Sequence, residues 1–247
     1  MKISEGLSLP FYLTGGTALS RFYFHHRYSD DLDLFVNADP DYKKHVELFV
    51  RQVLSEKDLS VSLGDPAFIR NGYYSLTVCG PAIETPLKID LVNDIGFRLG
   101  SPVKIACGYL VDSLDNILTN KLSAIVGRSE IKDVVDLVEI CNNSSFSWDR
   151  MLEDAGRKEA MISASLLVDF LGSVPISELD KVEWIRKPDP DEFRKNLTVI
   201  CDDMLRKGPN SLALGNRKIR TCLDCSPANG RNPEPAKPHG GSFSLKS

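Results

Sequence analysis

Two aspartates separated by one residue, Asp31 and Asp33, are the pair in this 247-residue chain whose type and spacing most suggest chemistry. Leu32 and Leu34 alternate with them, so a strand here would send both carboxylates to one face of a sheet. Two carboxylates on one face repel each other, and a bound divalent cation is the usual way to offset that repulsion. Carboxylate oxygens suit Mg²⁺ or Mn²⁺, particularly where substrate phosphates supply further ligands.

A glycine pair, Gly15-Gly16, precedes these aspartates and adds a second feature of phosphate chemistry. The apolar run 11–13 predicts a strand before it, and the apolar spacing of 17–26 predicts a helix after it. Backbone can approach a phosphate closely at a glycine turn, and a helix N-terminus offers free N–H groups. Either motif alone is usually an ordinary turn or an exposed strand edge. Their order along the chain indicates nucleotide chemistry.

The segment GGTAL at 15–19, followed by RYSDDLD at 27–33, resembles the opening of the AbiEii/AbiGii-toxin-like nucleotidyltransferases. That family is a branch of the superfamily built like the palm of DNA polymerase beta. The resemblance implies an α+β fold, in which a mixed sheet flanked by helices is followed by a helical C-terminal lobe. It also implies nucleotide contacts from four residues of the two motifs: Gly15, Gly16, Thr17 and Ser29.

A third carboxylate from a neighbouring strand is a further implication of the resemblance. The stretch 85–92, TPLKIDLV, alternates as a strand, and Asp90 is its best match. Asp94 has the same facing and is an alternative, but Asp90 has apolar strand residues on both sides. The alternative interpretation is that Asp90 is an exposed aspartate on an edge strand and has no functional role. A third carboxylate could ligate a metal and accept the proton of an attacking hydroxyl. The predicted catalytic and metal-binding set is Asp31, Asp33 and Asp90.

A lysine on an apolar helical stripe, Lys121, is the next unusual feature, within the predicted helix 112–126. Its ammonium group could extend to water, or it could reach an anion in a cleft. By resemblance, the K-L-x-A segment of the family and its following arginine correspond to Lys121 and Arg128, both expected to bind nucleotide. The glutamate that usually precedes the lysine is Asn120 here.

The predicted helix 130–141 carries a second aspartate pair, Asp133 and Asp136, on one face. The resemblance implies that this pair lines the nucleotide site. A structural role is the alternative, in which either aspartate holds Lys121 or Arg128 in place.

The composition is that of an ordinary soluble globular protein, with 42% hydrophobic residues, 26% charged residues and a formal net charge of −4. No apolar run approaches the length of a membrane span. Six scattered cysteines do not form a disulfide framework, which favours the reducing cytoplasm. Cys222 and Cys225 make half of a zinc-ribbon pattern without its second half. His25 and His26 lie at the predicted C-terminus of a helix, where a positive charge interacts favourably with the helix dipole. We favour this interpretation over metal ligation by the two histidines.

We predict three regions: a nucleotidyltransferase palm at 1–110, a helical lobe completing the nucleotide site at 111–208, and a disordered tail at 209–247. Within them, Asn71-Gly72 predicts a hairpin turn inside 67–79, and 147–171 has a helical pattern throughout. The first strand begins almost at once, which leaves open a missing upstream segment.

The leading hypothesis is Mg²⁺-dependent transfer of a nucleotidyl group from an NTP to an acceptor hydroxyl. The resemblance implies a toxin of a toxin–antitoxin or phage-defence system that acts on tRNA or another cellular acceptor, with a cognate antitoxin as partner. Two alternatives stay open: a transferase that modifies a small molecule such as an antibiotic, and a nucleotide-binding partner protein without turnover. A protein that only mediates interactions would bind no nucleotide with Mg²⁺.

Overall fold

A seven-stranded mixed sheet forms the centre of the computed structural model, which describes residues 9–81, 83–106 and 108–215. The strands are β1 (Tyr12–Thr14), β2 (Leu32–Asn37), β3 (Ser60–Leu63), β4 (Tyr73–Gly80), β5 (Ile83–Asp94), β6 (Val103–Lys104) and β7 (Leu110–Val111). Their order is β3-β4-β5-β2-β1-β7-β6. β2 runs parallel to β5 and β1 parallel to β7, and the remaining neighbours are antiparallel.

Helices flank the sheet and make up most of the described chain after β7. They are α1 (Gly15–Ala18), α2 (Tyr42–Ser55), α3 (Leu114–Arg128), α4 (Ile131–Asn143), α5 (Trp148–Lys158), α6 (Ala164–Ser173), α7 (Pro190–Arg206) and α8 (Ser211–Gly215). α1 continues directly as a π-helical segment, Leu19–Phe24, and 3-10 helices span Pro66–Asn71 and Ile176–Lys181. The mixed α/β architecture of the predicted fold is therefore present.

The core on one face of the sheet lies against α2. Leu34 and Leu91, buried neighbours on β2 and β5, point to this face. Tyr42 of α2 donates its hydroxyl to the Leu91 carbonyl at 2.6 Å, and the rings of Tyr42 and Phe49 meet Phe11 edge-on. Because side chains alternate along a strand, the residues next to these leucines face the opposite side of the sheet. That opposite side carries the aspartates.

The predicted hairpin turn at Asn71-Gly72 is wrong. The 3-10 helix Pro66–Asn71 occupies that position, and Gly72 ends it with a φ of +75°. Asp65 caps the helix by accepting a hydrogen bond from the Ala67 N–H at 2.8 Å, and Pro66 has the fixed φ that suits a first helical position. The Asp-Pro pair therefore starts a helical turn, and the strand begins only afterwards.

Other boundaries also shift. The helical pattern of 147–171 is two helices, α5 and α6, because the chain leaves helical geometry between Lys158 and Ala164. The predicted helix 17–26 begins at Gly15 and ends at Phe24, and the next residue, His25, has a φ of +54°. Helical structure continues past residue 208, because α8 begins at Ser211. Residues 216–247, including Cys222 and Cys225, lie outside the described residues, and the three predicted regions remain predictions.

Candidate active site

The register between β2 and β5 puts two of the predicted aspartates side by side. Asp33 of β2 is paired with Asp90 of the parallel strand β5, and both strands send these side chains to the same face. Asp94, the alternative to Asp90, is paired with Asn37 four residues further along. Asp90 is therefore the neighbour of Asp33, and Asp94 lies further down the strand.

A cavity of about 340 Å³, called here the polar cavity, is lined by all three predicted catalytic aspartates. Asp31 lies just ahead of β2 and is exposed, whereas Asp33 and Asp90 are partly buried. Gly16 and Ser29 also line the cavity. Six basic side chains surround the acids, a combination that suits a highly charged anion together with a cation: Arg27, Lys88, Lys121, Arg128, Lys132 and Lys181.

Asp33 is the carboxylate with the least favourable surroundings. The pKa of Asp33 is raised to about 6, mainly by burial and also by the nearby charges of Asp90 and Asp31, against the lowering effect of Lys121. Among the hydrogen bonds and ion pairs of the described residues, none involves its carboxylate. An ionised Asp33 therefore lacks a direct partner, and a bound cation would supply one.

The glycine pair is needed for the close approach of two charged side chains. Gly15 has a φ of +69°, and a Cβ there would lie 2.1 Å from an oxygen of Asp33. A Cβ on Gly16 would lie 2.3 Å from the Arg27 guanidinium group. The turn therefore packs against the Asp33 carboxylate and Arg27 directly, at the rim of the polar cavity.

Thr17 lies behind the site. It is fully buried, and its hydroxyl contacts the Ser29 hydroxyl at 3.0 Å and donates to the Asp31 carbonyl. These bonds fix the loop that carries Asp31 and Ser29. The predicted direct contact between Thr17 and a nucleotide is thus not favoured by its position, whereas Ser29 does line the cavity.

Lys121 and the two aspartates of α4 form a compact charged group beside the cavity. Lys121 Nζ lies 2.8 Å from Asp133 Oδ1 and 2.6 Å from Asp136 Oδ2, and all three side chains are buried. The pKa of Asp136 is lowered well below its usual range because the charge of Lys121 and hydrogen bonds from His26 and Arg27 outweigh its burial. Of the two roles predicted for this pair, the positions favour the structural one.

Arg27 and His26 complete the partners of Asp136. The Arg27 guanidinium donates Nε and one terminal nitrogen to the two carboxylate oxygens, each at 2.7 Å, in a two-pronged arrangement. His26 Nε2 lies 2.8 Å from Asp136 Oδ1. This cluster joins the loop before β2 to α4, so it fixes the position of the loop that leads to Ser29 and Asp31.

Of the two basic partners of Asp133, Lys121 is buried and Arg128 reaches solvent. Its guanidinium donates to both oxygens of Asp133, at 2.8 and 2.9 Å, yet its side chain is 56% exposed. It lines the polar cavity and also a second cavity of about 410 Å³, the apolar cavity, which Phe35, Ile117 and Ala124 line. Asp33 lies between the two cavities and lines both. A charged group and a flat apolar group could therefore flank the same carboxylate.

The carboxylate oxygens of the site suit a hard divalent cation, but they do not converge on one point as a preformed metal centre would. Among the described residues, no three His, Cys, Asp or Glu side chains form a ready-made metal centre. Asp90 explains part of this, since Lys88 Nζ donates to one oxygen at 2.8 Å and the Tyr73 hydroxyl to the other at 3.1 Å. The uncompensated Asp33 carboxylate beside Asp90 and Asp31 is the feature that fits a cation.

Two residues of the site, Lys88 and Arg27, and one residue that supports β1, Asp112, were not found from sequence. Lys88 was visible only as the residue two before Asp90 on one strand, an offset that gives them a common face. Arg27 was part of a motif, but its burial under Gly16 had no sequence signal. Asp112 is fully buried and accepts hydrogen bonds from Thr14 at 2.7 Å and Asn116 at 2.8 Å, which join β1 to α3.

The mixed sheet with its paired carboxylates beside a glycine turn is that of a nucleotidyltransferase. The chain belongs to the family described as "Nucleotidyl transferase AbiEii toxin, Type IV TA system", whose model matches residues 4–210. A relative from Aquifex aeolicus (strain VF5), the "Uncharacterized protein aq_aa25", is 27% identical over 176 residues, which are 68% of this chain and 76% of that protein.

Two solved structures from Helicobacter pylori share the fold. JHP933 has a TM-score of 0.50 and 17% identity, over 90% of this chain and 91% of its own. The structure of a "putative nucleotidyltransferase" has a TM-score of 0.51 and 17% identity, over 83% of this chain and 90% of its own. Within the described residues, no helix combines the length and the apolar character needed to cross a bilayer.

Proposed function

We propose that this protein transfers a nucleotidyl group from an NTP to an acceptor hydroxyl, with Mg²⁺ or Mn²⁺ as cofactor. The single observation that carries the proposal is the position of Asp33, uncompensated and in register with Asp90, at a cavity edged by a glycine turn. Family membership makes the chain a nucleotidyltransferase. The metal, the NTP and the acceptor are the proposed parts.

The metal would be held by Asp31, Asp33 and Asp90, whose oxygens are the ligands that Mg²⁺ prefers. When bound, it would lower the pKa of an acceptor hydroxyl and neutralise charge on the leaving pyrophosphate. Asp90 would accept the proton of that hydroxyl, because it is a partly buried carboxylate at the same cavity.

The triphosphate would lie in the polar cavity, beside the backbone of Gly16 and the hydroxyl of Ser29, with Gly15 at the adjoining apolar cavity. Arg128 would bind a phosphate, since it keeps donors free while one face of its guanidinium is held by Asp133. Lys121 would act through its field at Asp33 and through the placement of α4, because its ammonium already has two carboxylate partners. The helices of 111–208 would in this way complete the site as a second lobe.

In the cell, the proposed role is that of a cytoplasmic toxin with a cognate antitoxin, and the acceptor is tRNA or another cellular hydroxyl. The family description, which names a type IV toxin–antitoxin system, supports the antitoxin part. The mechanism requires of the acceptor only a free hydroxyl that can reach Asp90. A small-molecule acceptor is the alternative that the experiment below separates.

The test is incubation with each labelled NTP, total RNA or a panel of hydroxyl-bearing antibiotics, and Mg²⁺ or Mn²⁺. Label incorporated into RNA, with pyrophosphate release, is expected for the wild type and absent for Asp33→Asn. Asp149→Asn changes an exposed aspartate of α5 and should retain full activity as the matched control. Label on a small molecule would show that the acceptor is a small molecule and not RNA. Pyrophosphate release by Asp33→Asn at the wild-type rate would overturn the proposed mechanism.

A further inference from the structure

Lys88 is paired with Asp90, one of the carboxylates that would hold the metal under the proposed function. Residues two apart on a strand share a face, so Lys88 and Asp90 both point into the polar cavity. Lys88 Nζ donates to Asp90 Oδ2 at 2.8 Å, and the Tyr73 hydroxyl donates to Asp90 Oδ1 at 3.1 Å. Both carboxylate oxygens of Asp90 are therefore engaged by this chain's own donors.

The lysine is held loosely enough to leave. Its side chain is 46% exposed, whereas that of Asp90 is 14% exposed. An ion pair between a solvated ammonium group on a flexible stem and one carboxylate is weak. A divalent cation carries twice the charge and could bind Asp33 as well as Asp90, so it would compete successfully for the same oxygen.

We propose that Lys88 is an internal counter-ion of Asp90, which metal binding displaces and which then binds the triphosphate. This inference rests on the proposed function. The displaced ammonium would stay within the polar cavity, where Arg128 and the glycine turn also lie. Lys88 would thus stabilise Asp90 when no substrate is bound and would neutralise phosphate when the NTP is bound. These two roles have opposite effects on the affinities for metal and for nucleotide.

In the experiment, Mn²⁺ is titrated into the full chain without nucleotide, and free Mn²⁺ is measured by its electron paramagnetic resonance signal. Lys88→Met removes the competitor, so its Mn²⁺ dissociation constant should fall roughly fivefold below that of the wild type. Lys88→Arg keeps the charge and should stay near wild type. Lys104→Met, an exposed lysine of the edge strand β6, is the control for lost surface charge and should change nothing.

Nucleotide affinity supplies the opposite readout. With Mn²⁺ saturating, a non-hydrolysable NTP analogue should bind Lys88→Met about tenfold more weakly, because a charge-assisted contact to phosphate is lost. Tighter Mn²⁺ with weaker analogue binding is a pattern that local damage would not produce. Unchanged analogue affinity would overturn the phosphate-binding half of the inference.

The failures of the two proposals are distinguishable. If the wild type binds Mn²⁺, Asp90→Asn loses that binding and Lys88→Met binds no more tightly than wild type, Lys88 is not the counter-ion, and the proposed function stands. If neither the wild type nor Lys88→Met binds Mn²⁺, both the proposed function and this inference are overturned. Near-ultraviolet circular dichroism confirms that each variant retains the fold.

Discussion

Asp33 with Asp90 on the sheet and Asp133 with Asp136 on α4 are two acidic pairs in adjoining parts of one site, with opposite electrostatic surroundings. The pKa of Asp33 is raised, mainly by burial, to about 6. The pKa values of Asp133 and Asp136 are lowered, because cationic partners outweigh the burial that would raise them. All four residues are aspartates, and the two pairs differ in the cationic partners that surround them.

The difference separates a pair that holds the fold from a pair that is available for a ligand. The helical pair has Lys121 and two arginines as permanent counter-ions, so it needs nothing from outside. At the sheet pair, Asp33 has no ion-pair partner among the described residues, and Asp90 has a lysine that is about half exposed. A buried carboxylate without a cationic partner lowers the stability of the fold, and a protein usually retains one because it has a function.

The largest expected effect is on the helical pair. Asp136→Asn leaves Arg27 and Lys121 buried without their shared carboxylate, so the free energy of unfolding should fall by about 3–5 kcal/mol. Urea unfolding measures it. Asp149→Asn, on the surface, should stay within about 0.5 kcal/mol of wild type. A loss below about 1 kcal/mol for Asp136→Asn would remove the structural role given to this pair.

The same contribution should depend on pH. The folded pKa of Asp136 lies below its ordinary value of 3.8, so its stabilisation is present above that pH and is lost as the pH falls further. The gap in unfolding free energy between wild type and Asp136→Asn should therefore narrow as the pH is lowered below about 4. A gap that is constant with pH would show that a neutral contact, and not the charge, carries the effect.

A smaller loss is expected at the arginine that supports the helical pair. Arg27→Lys keeps the charge but cannot donate two parallel hydrogen bonds to Asp136, so stability should fall by about 1–3 kcal/mol. Gly16 packs against the same guanidinium group. Lys132→Arg, an exposed basic residue of α4, serves as the control and should leave urea unfolding unchanged. Wild-type stability of Arg27→Lys would mean that charge alone positions the loop.

The sheet pair should respond with the opposite sign. Without metal and at about pH 7.5, Asp33→Asn should raise the unfolding free energy by about 1–2 kcal/mol, because it removes an ionised carboxylate that lacks a partner. The folded pKa of about 6 exceeds the ordinary 3.8, so wild-type stability falls as the pH rises between these values. The gain from Asp33→Asn should accordingly vanish near pH 4. A destabilised Asp33→Asn at neutral pH would contradict the comparison.

The parts of this site that could be predicted from sequence depend on the two-residue period of the strands and on the order of the motifs along the chain. Alternation in β2 and β5 predicted which carboxylates share a face, and the parallel register then brought Asp33 to Asp90. The burial of Thr17 was not predictable, because a threonine after a glycine turn can bond either a ligand or a loop. The hairpin predicted at Asn71-Gly72 failed since Asp65-Pro66 starts a helix before the glycine is reached. Partners from distant segments, such as Arg27 for Asp136, follow from tertiary packing alone.

The most direct test of the central claim is thermal unfolding of wild type and Asp33→Asn with and without about 10 mM MgCl₂. If this concentration is about tenfold above the dissociation constant, Mg²⁺ should raise the wild-type Tm by about 3–5 °C. Asp33→Asn should begin at a higher Tm in metal-free buffer and should not respond to Mg²⁺. An unchanged wild-type Tm, or an equal rise in both proteins, would contradict a cation site at the uncompensated carboxylate.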